Sequence, residues 1–167
     1  MYRAATLALV ASLSLACASA PPPKLAEGPR SILVVPPVDE TRSTQAARIY
    51  GATLTRALVD RGYYVFPSSV VTPVLGRLKI DASTEGALER LEKVFGADAI
   101  LVTRIRSFAP KMEVSCSLLE AHSGREIWHG EIAAEGAAES ALESIALGAN
   151  ARAFANLPLG PQHSRTK

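Results

Sequence analysis

The chain has 167 residues, 48% of them apolar, and a formal net charge of +2 from 18 basic and 16 acidic side chains. That is about one domain's worth of sequence with ordinary apolar content for a packed core. The balanced charge shows no clustered basic patch of the kind a nucleic-acid partner requires.

The N-terminus carries one positive charge, Arg3, followed by apolar or small residues from Ala4 to Ala16. This is the h-region of a secretory leader, too short for the roughly 20 apolar residues that span a bilayer. Ala16 directly precedes Cys17 in Leu13-Ser14-Leu15-Ala16-Cys17, the pattern cut by the lipoprotein signal peptidase. Residues 1–16 are therefore expected to be removed, leaving Cys17 acylated on its thiol and its amine with palmitate-class chains. The alternative is an ordinary secretory leader cut after Ala18-Ser19-Ala20. Ala18, rather than Asp, follows the cysteine, as in lipoproteins sorted to the outer membrane. With Cys17 bound to lipid, Cys116 has no intrachain partner. Residues 17–30 form the lipidated start and a tether whose Pro21-Pro22-Pro23 favours an extended chain.

Residues 31–157 are the expected globular domain. Ile32-Leu33-Val34-Val35 is a continuous apolar run stopped by Pro36-Pro37, which suits a strand buried on both faces. Across residues 43–61, Ala47, Tyr50, Leu54, Ala57 and Leu58 recur at helical spacing. Thr41 or Ser43 is placed to cap that helix, and Gly62 to close it. Tyr63-Tyr64-Val65-Phe66 is a second strand ended by Pro67. Thr72-Pro73 reads as an N-cap and first-turn proline for a short helix carrying Val74, Leu75 and Leu78. A third helix is expected over 85–95, ended by Gly96, and a third buried strand at Ala99-Ile100-Leu101-Val102, continuing to Phe108. Met112, Val114, Cys116 and Leu118 alternate with polar residues, giving a half-buried strand with one wet face. Ala121-His122-Ser123-Gly124 turns the chain into a hairpin partner over 125–132. An Ala-rich helix over 137–155 places Leu142, Ile145, Ala149 and Ala153 on one stripe, and residues 158–167 form a polar tail. The expected fold is α/β: a single three-layer-like mixed sheet, with three parallel strands plus an antiparallel hairpin, covered by helices.

Five segments in this order carry a resemblance: Val34-Val35-Pro36-Pro37, residues 62–67, Phe95-Gly96-Ala97-Asp98-Ala99, Ser123-Gly124 with Ile127-Trp128, and Leu157-Pro158 with Gly160-Pro161. Together with the cysteine motif they resemble a family of small bacterial lipoproteins typified by a genome-derived neisserial surface antigen. The resemblance implies a fold similar to the N-terminal domain of the Tol-system β-propeller protein. It also implies a partner in the envelope, a lipoprotein similar to the curli secretion pore. The chain departs from the family in a shorter stretch over 107–120 and a shorter helical region after Gly130. It also has Asp39 where Asn is common.

Candidate chemistry is sparse. No nucleotide-binding glycine loop is present, and no cofactor is implied. Asp39-Glu40 follows the C-terminal end of the first strand, where open α/β sheets bind ligands. The pair is the best candidate for a small polar ligand, or else a solvated loop capping the next helix. His122 and His129 can approach across the hairpin, with Glu131 as a third ligand, or stand exposed without a metal. Cys116 shares a face with Val114 and Leu118, which favours packing over nucleophilic chemistry. Arg104 and Arg106 share a strand face and are expected to pair with Glu113 or to meet an acidic partner. Trp128 is either core or an interface anchor. The tethered domain without a catalytic constellation, together with what the resemblance implies, leads us to expect a non-enzymatic outer-membrane lipoprotein facing the periplasm, an accessory or scaffold subunit of an envelope secretion or transport assembly. The alternatives are a periplasmic regulator of a cell-wall enzyme and a small-ligand binding module. The edge strand of the hairpin offers a route to a homodimer.

Overall fold

A computed structural model describes residues 28–41, 44–81, 86–107, 111–135 and 142–162. Cys17, the leader, most of the tether, Ser43, Phe108 and His163 lie outside the described residues.

The apolar run forms β1 (Ser31–Val34), fully buried from Ile32 to Val34, and Pro36-Pro37 interrupts it as expected. A two-residue strand that the sequence did not signal, β2 (Val38–Asp39), then resumes alongside the same neighbour. Helix α1 (Thr44–Asp60) buries Tyr50, Leu54, Ala57 and Leu58, and Ala46 in place of the half-buried Ala47. After it comes β3 (Tyr64–Phe66).

Helix α2 (Ser68–Leu78) starts a full turn before the expected Thr72 cap. Pro67 occupies the cap position, and its carbonyl accepts the N–H groups of Val70 and Val71 at 2.9 and 3.1 Å. Pro73 therefore lies inside the helix, where it removes one backbone donor. Burial of Val71 and Leu75 offsets that loss, each side chain contributing about 1.5–3 kcal/mol. The Thr72 hydroxyl, rather than capping, donates back to the Ser68 carbonyl at 2.7 Å.

Helix α3 (Ala87–Phe95) is followed by the long strands β4 (Ala99–Ser107), β5 (Lys111–Glu120) and β6 (Glu126–Glu135). Helix α4 (Leu142–Ala153) and a 3-10 turn (Phe154–Asn156) complete the chain order. Gly62 and Gly96 close α1 and α3 in the left-handed region, at φ of 86° and 62°.

The sheet runs β3-β1-β4-β5-β6, with β2 also beside β4. β1 is parallel to β3 and β4, and β2 is parallel to β4. β4, β5 and β6 are successively antiparallel. The mixed α/β sheet expected from the sequence is therefore present. Helices α1 and α4 cover one face along the parallel strands and the hairpin. Helices α2 and α3 cover the other face only over the parallel strands. The sandwich has three layers over one half of the sheet and two over the other. On β5, Met112, Val114, Cys116 and Leu118 are buried, while Glu113, Ser115 and Ser117 stand on the uncovered side.

Polar groups join α1 to α4 inside the larger core. The Tyr50 hydroxyl donates to Asn150 Oδ1 at 2.6 Å, and Asn150 Nδ2 donates to Thr53 Oγ1 at 3.1 Å. All three side chains are buried, so each needs its partner.

Candidate functional site

The connection pattern makes one site before any residue is chosen. After β1 the chain enters α1 on one face, and after the adjacent β3 it enters α2 on the other. The two exits diverge at the C-terminal ends of neighbouring parallel strands, which opens a crevice at a topological switch point. A cleft of about 690 Å³ lies there. Pro36 and Pro37 line it from the end of β1, Pro67, Ser68 and Ser69 from the start of α2, and Arg48 and Thr55 from α1. This cleft lies at the end of the first strand, where the sequence placed its ligand candidates, but Asp39 and Glu40 do not line it. The signal that finds it is the pair of proline stops, Pro36-Pro37 and Pro67, read together with the strand order.

Asp39 and Glu40 do other work. Asp39 Oδ1 accepts the backbone N–H and the hydroxyl of Thr41 at 2.8 and 2.6 Å, which shapes the loop before α1. Glu40 Oε1 pairs with Arg104 Nη1 at 2.7 Å. The expected partner of Arg104, Glu113, instead pairs with Lys111 at 2.6 Å. The cause is β2. It sets Val38 opposite Arg104 and so brings Glu40 to that side. A bulge between Ile105 and Ser107 also takes Arg106 out of the ladder and puts Ser107 opposite Glu113. The Lys111 hydrogen bond and charge hold the Glu113 carboxyl below its usual range, with a smaller contribution from Arg106.

The uncovered face of β4, β5 and β6 is polar and ordered in rows. Arg104 lies opposite Ser115, which lies opposite Glu131, and Val102, Ser117 and His129 form the next row. His129 Nδ1 is 3.2 Å from the Ser117 hydroxyl and 3.5 Å from Glu126. His122 sits in the hairpin turn beside Glu92, at 3.6 Å. The two histidines therefore have separate carboxylate neighbours and do not converge. Among the described residues no group of three or more His, Cys, Asp or Glu side chains can hold a metal ion.

Trp128 is on the other face. It is half-buried against the core, and its ring lies 5.2 Å from that of Phe154 at an angle of 53°. The indole folds over Gly130, where a side chain would collide with it. The structure therefore separates Trp128 from Arg104 and Arg106. Cys116 is fully buried beneath α1 and α4. Burial pushes its thiol up to about 12, against a weaker opposing effect of Thr103, whose hydroxyl is 3.7 Å from the sulfur. A thiol so raised supplies no thiolate nucleophile at neutral pH.

Among the described residues these features define a small open-sheet α/β domain with a cleft at the strand ends and one sheet face that no helix covers. Among the described residues no helix is long and apolar enough to cross a membrane. The chain belongs to the family described as "Putative lipoprotein GNA1162-like", whose model matches residues 24–151. It is 30% identical over 114 residues to "Putative lipoprotein NMB1124/NMB1162" of Neisseria meningitidis serogroup B, covering 61% of this chain and 53% of that protein. The chain thus spans about half the length of that curated relative. The crystal structure of lipoprotein GNA1162 from Neisseria meningitidis superposes with a TM-score of 0.59 at 27% identity, covering 77% of this chain and 99% of that one. The PelC dodecamer from Paraburkholderia phytofirmans shares the fold, with a TM-score of 0.59 at 17% identity over 80% of this chain and 89% of that one.

Proposed function

We propose that this protein is a non-enzymatic lipoprotein of the outer membrane, anchored through acylated Cys17 and facing the periplasm. In this reading it is an accessory or scaffold subunit of an envelope secretion or transport assembly. The observation that carries the proposal is the bare face of β4, β5 and β6, bounded by β6, a ten-residue strand at the sheet edge. Helices cover the rest of the sheet, so this face is the extended surface on which another protein can lie. Its hydroxyls and its Arg104, Glu131 and His129 side chains suit a polar, reversible contact. Membership of a lipoprotein family supports the anchor. The partner expected is a lipoprotein similar to the curli secretion pore, and the β6 edge is also open to a second copy.

The test is affinity purification of the tagged, lipidated protein from solubilised envelopes, with co-purifying proteins identified by mass spectrometry. A pore-like lipoprotein should be recovered, and should be lost when Ser115→Arg and Ser117→Arg crowd the bare face. Recovery of a cell-wall synthase would instead make the protein a regulator of that enzyme. Recovery of the protein alone would refute the subunit reading. The cleft at the switch point favours a second reading, a module that binds a small polar ligand between Arg48 and the first turn of α2. A thermal-shift screen that stays flat across nucleotides, sugars and organic anions would reject it.

A further inference from the structure

The sheet has two edges, β3 and β6. Other parts of the chain gather at the short β3 edge. Gly160 N–H donates to the Arg61 carbonyl at 2.9 Å and Gln162 N–H to the Gly62 carbonyl at 3.1 Å, in the turn that leads into β3. The Tyr63 hydroxyl donates to the Pro158 carbonyl, and a Cβ at Gly28 would lie 3.8 Å from Pro158 Cβ. The β6 edge is built differently. Trp128 to Glu135 pair residue for residue with Leu118 to Lys111, and the register shift of this ladder falls at the start of β6. Neither proline nor lysine, residues that keep an exposed edge from pairing, occurs in it. Every second residue along such a strand points its backbone N–H and C=O away from the sheet. Among the described residues no further strand takes up that side of β6.

We infer that the β6 edge takes up an extended segment of a protein partner in which Lys or Arg alternates with apolar residues. The inference rests on the subunit reading above and names the chemistry of the partner segment. An added strand sends its side chains alternately to the two faces of the sheet, so each face sets half of the pattern. On the helix side the new side chains meet Trp128 and Ala134, which are half-buried against the larger core, and Ile132, which is buried. Ile145 of α4, also half-buried, packs on the same core. Apolar side chains at these alternate positions extend that core outward.

On the bare face the new side chains meet His129, Glu131, Ala133 and Glu135, all exposed. Glu131 makes no ion pair among the described residues, and Glu135 shares the Lys111 ammonium with Glu113, which holds it at 2.6 Å. Glu126 lies 3.5 Å from His129. The surrounding cations are engaged: Arg104 with Glu40 at 2.7 Å and Arg125 with Glu120 at 3.5 Å, while Arg106 acts on Glu113. On α4, Glu143 is exposed and Arg152 reaches back along its own helix to Gly148. β6 therefore presents carboxylates and no Lys or Arg of its own, and opposite charges facing each other across a strand pair stabilise it. A second copy meets repulsion instead, because β6 against β6 brings the three carboxylates of each strand together.

The test uses the full chain and strand-length synthetic peptides, with hydrogen exchange read by mass spectrometry. A peptide alternating lysine with valine should bind and slow exchange over residues 126–135. Glu131→Lys with Glu135→Lys should weaken that peptide by about tenfold and admit one alternating glutamate with valine, with unchanged thermal melting. The milder pair Glu131→Gln and Glu135→Gln should weaken it by about threefold, and keeps the test sound if the reversal disturbs the fold. Equal binding of a peptide with its lysines and valines in separate blocks, protection outside β6, or no response to the substitutions would overturn the inference. So would protection of β6 in the free protein that grows with its concentration, which assigns the edge to a second copy. The envelope purification separates this failure from that of the subunit reading. A partner lost with Ser115→Arg and Ser117→Arg but kept by the charge reversal refutes strand addition alone. Recovery of no partner refutes the subunit reading, and this inference with it.

Discussion

Asn150→Ala removes the side chain that joins α4 to α1. Asn150 accepts from the Tyr50 hydroxyl at 2.6 Å and donates to Thr53 Oγ1 at 3.1 Å, with no solvent contact. Burial raises the Tyr50 phenol well above its ordinary value, and the Cys116 sulfur adds to the shift. The phenol thus remains a donor throughout the working pH range. Without Asn150 that donor is orphaned, which costs about 1–3 kcal/mol. Thr53 suffers less, because its hydroxyl still donates to the Tyr50 carbonyl at 3.0 Å. With the void added, the expected loss is about 2–4 kcal/mol. Tyr50→Phe alone leaves one amide oxygen without its partner and should cost about 1–2 kcal/mol. In the double variant neither group is left waiting, so the costs should fall short of additive by roughly 1–2 kcal/mol. Equilibrium urea unfolding of the four proteins gives that coupling, provided the m-value is constant. Additivity within about 0.5 kcal/mol would show that the Tyr50–Asn150 bond does not hold α4 in place.

Gly130→Ala forces the Trp128 ring off the strand and away from Phe154. A red shift in the emission of this single tryptophan should accompany a loss of about 2–3 kcal/mol in urea unfolding. Cys116 should resist alkylation in the folded protein at pH 8. Because its pKa is raised on folding from 9.0 to about 12, the unfolded thiol ionises first, and stability falls as pH rises through that window. The fall attributable to this group is about 1.4 kcal/mol per pH unit. Urea midpoints of the native protein and Cys116→Ala at pH 8 and pH 10 should diverge accordingly. The Arg104–Glu40 pair is 54% and 43% exposed, so a double-mutant cycle should find a coupling below about 1 kcal/mol that weakens with added salt.

Features set by local period were legible in the sequence. The apolar run of β1 and its Pro36 stop, the stripe of α1, the closing glycines Gly62 and Gly96 and the alternation of β5 all depend on neighbours a few residues away. What escaped depends on distant partners. Two residues of β2 carry no period, and they pair only because β4 extends beyond the end of β1. The Thr72-Pro73 signal was locally sound, but Pro67 and the buried Val71 moved the helix start upstream. Thr53 and Asn150 lie 97 residues apart in sequence, and neither announces its role. The same holds for the candidate site. The Asp39-Glu40 pair and Arg104 stand far apart in the sequence, and only the register of β2 explains why Glu40 meets Arg104. The cleft depends on β1 and β3 being neighbours whose helices part to opposite faces, a pairing that no local period encodes.

The meeting of Gly28 with Pro158 also bears on how the domain can be rewired. Residues this close can be joined by a short linker and the chain reopened elsewhere, because the core is formed by contacts that the new connectivity preserves. The hairpin turn at Ser123-Gly124, exposed or half-exposed between β5 and β6, is a suitable point for new ends. A permuted domain of that kind would carry a fluorescent protein or a surface linker on the far side of the sheet from the β3 edge. A fusion after Gln162, by contrast, would set its cargo beside Gly62, at the end of the domain where the described chain begins. Where a fluorescent label is attached therefore decides which end of the sheet it occupies.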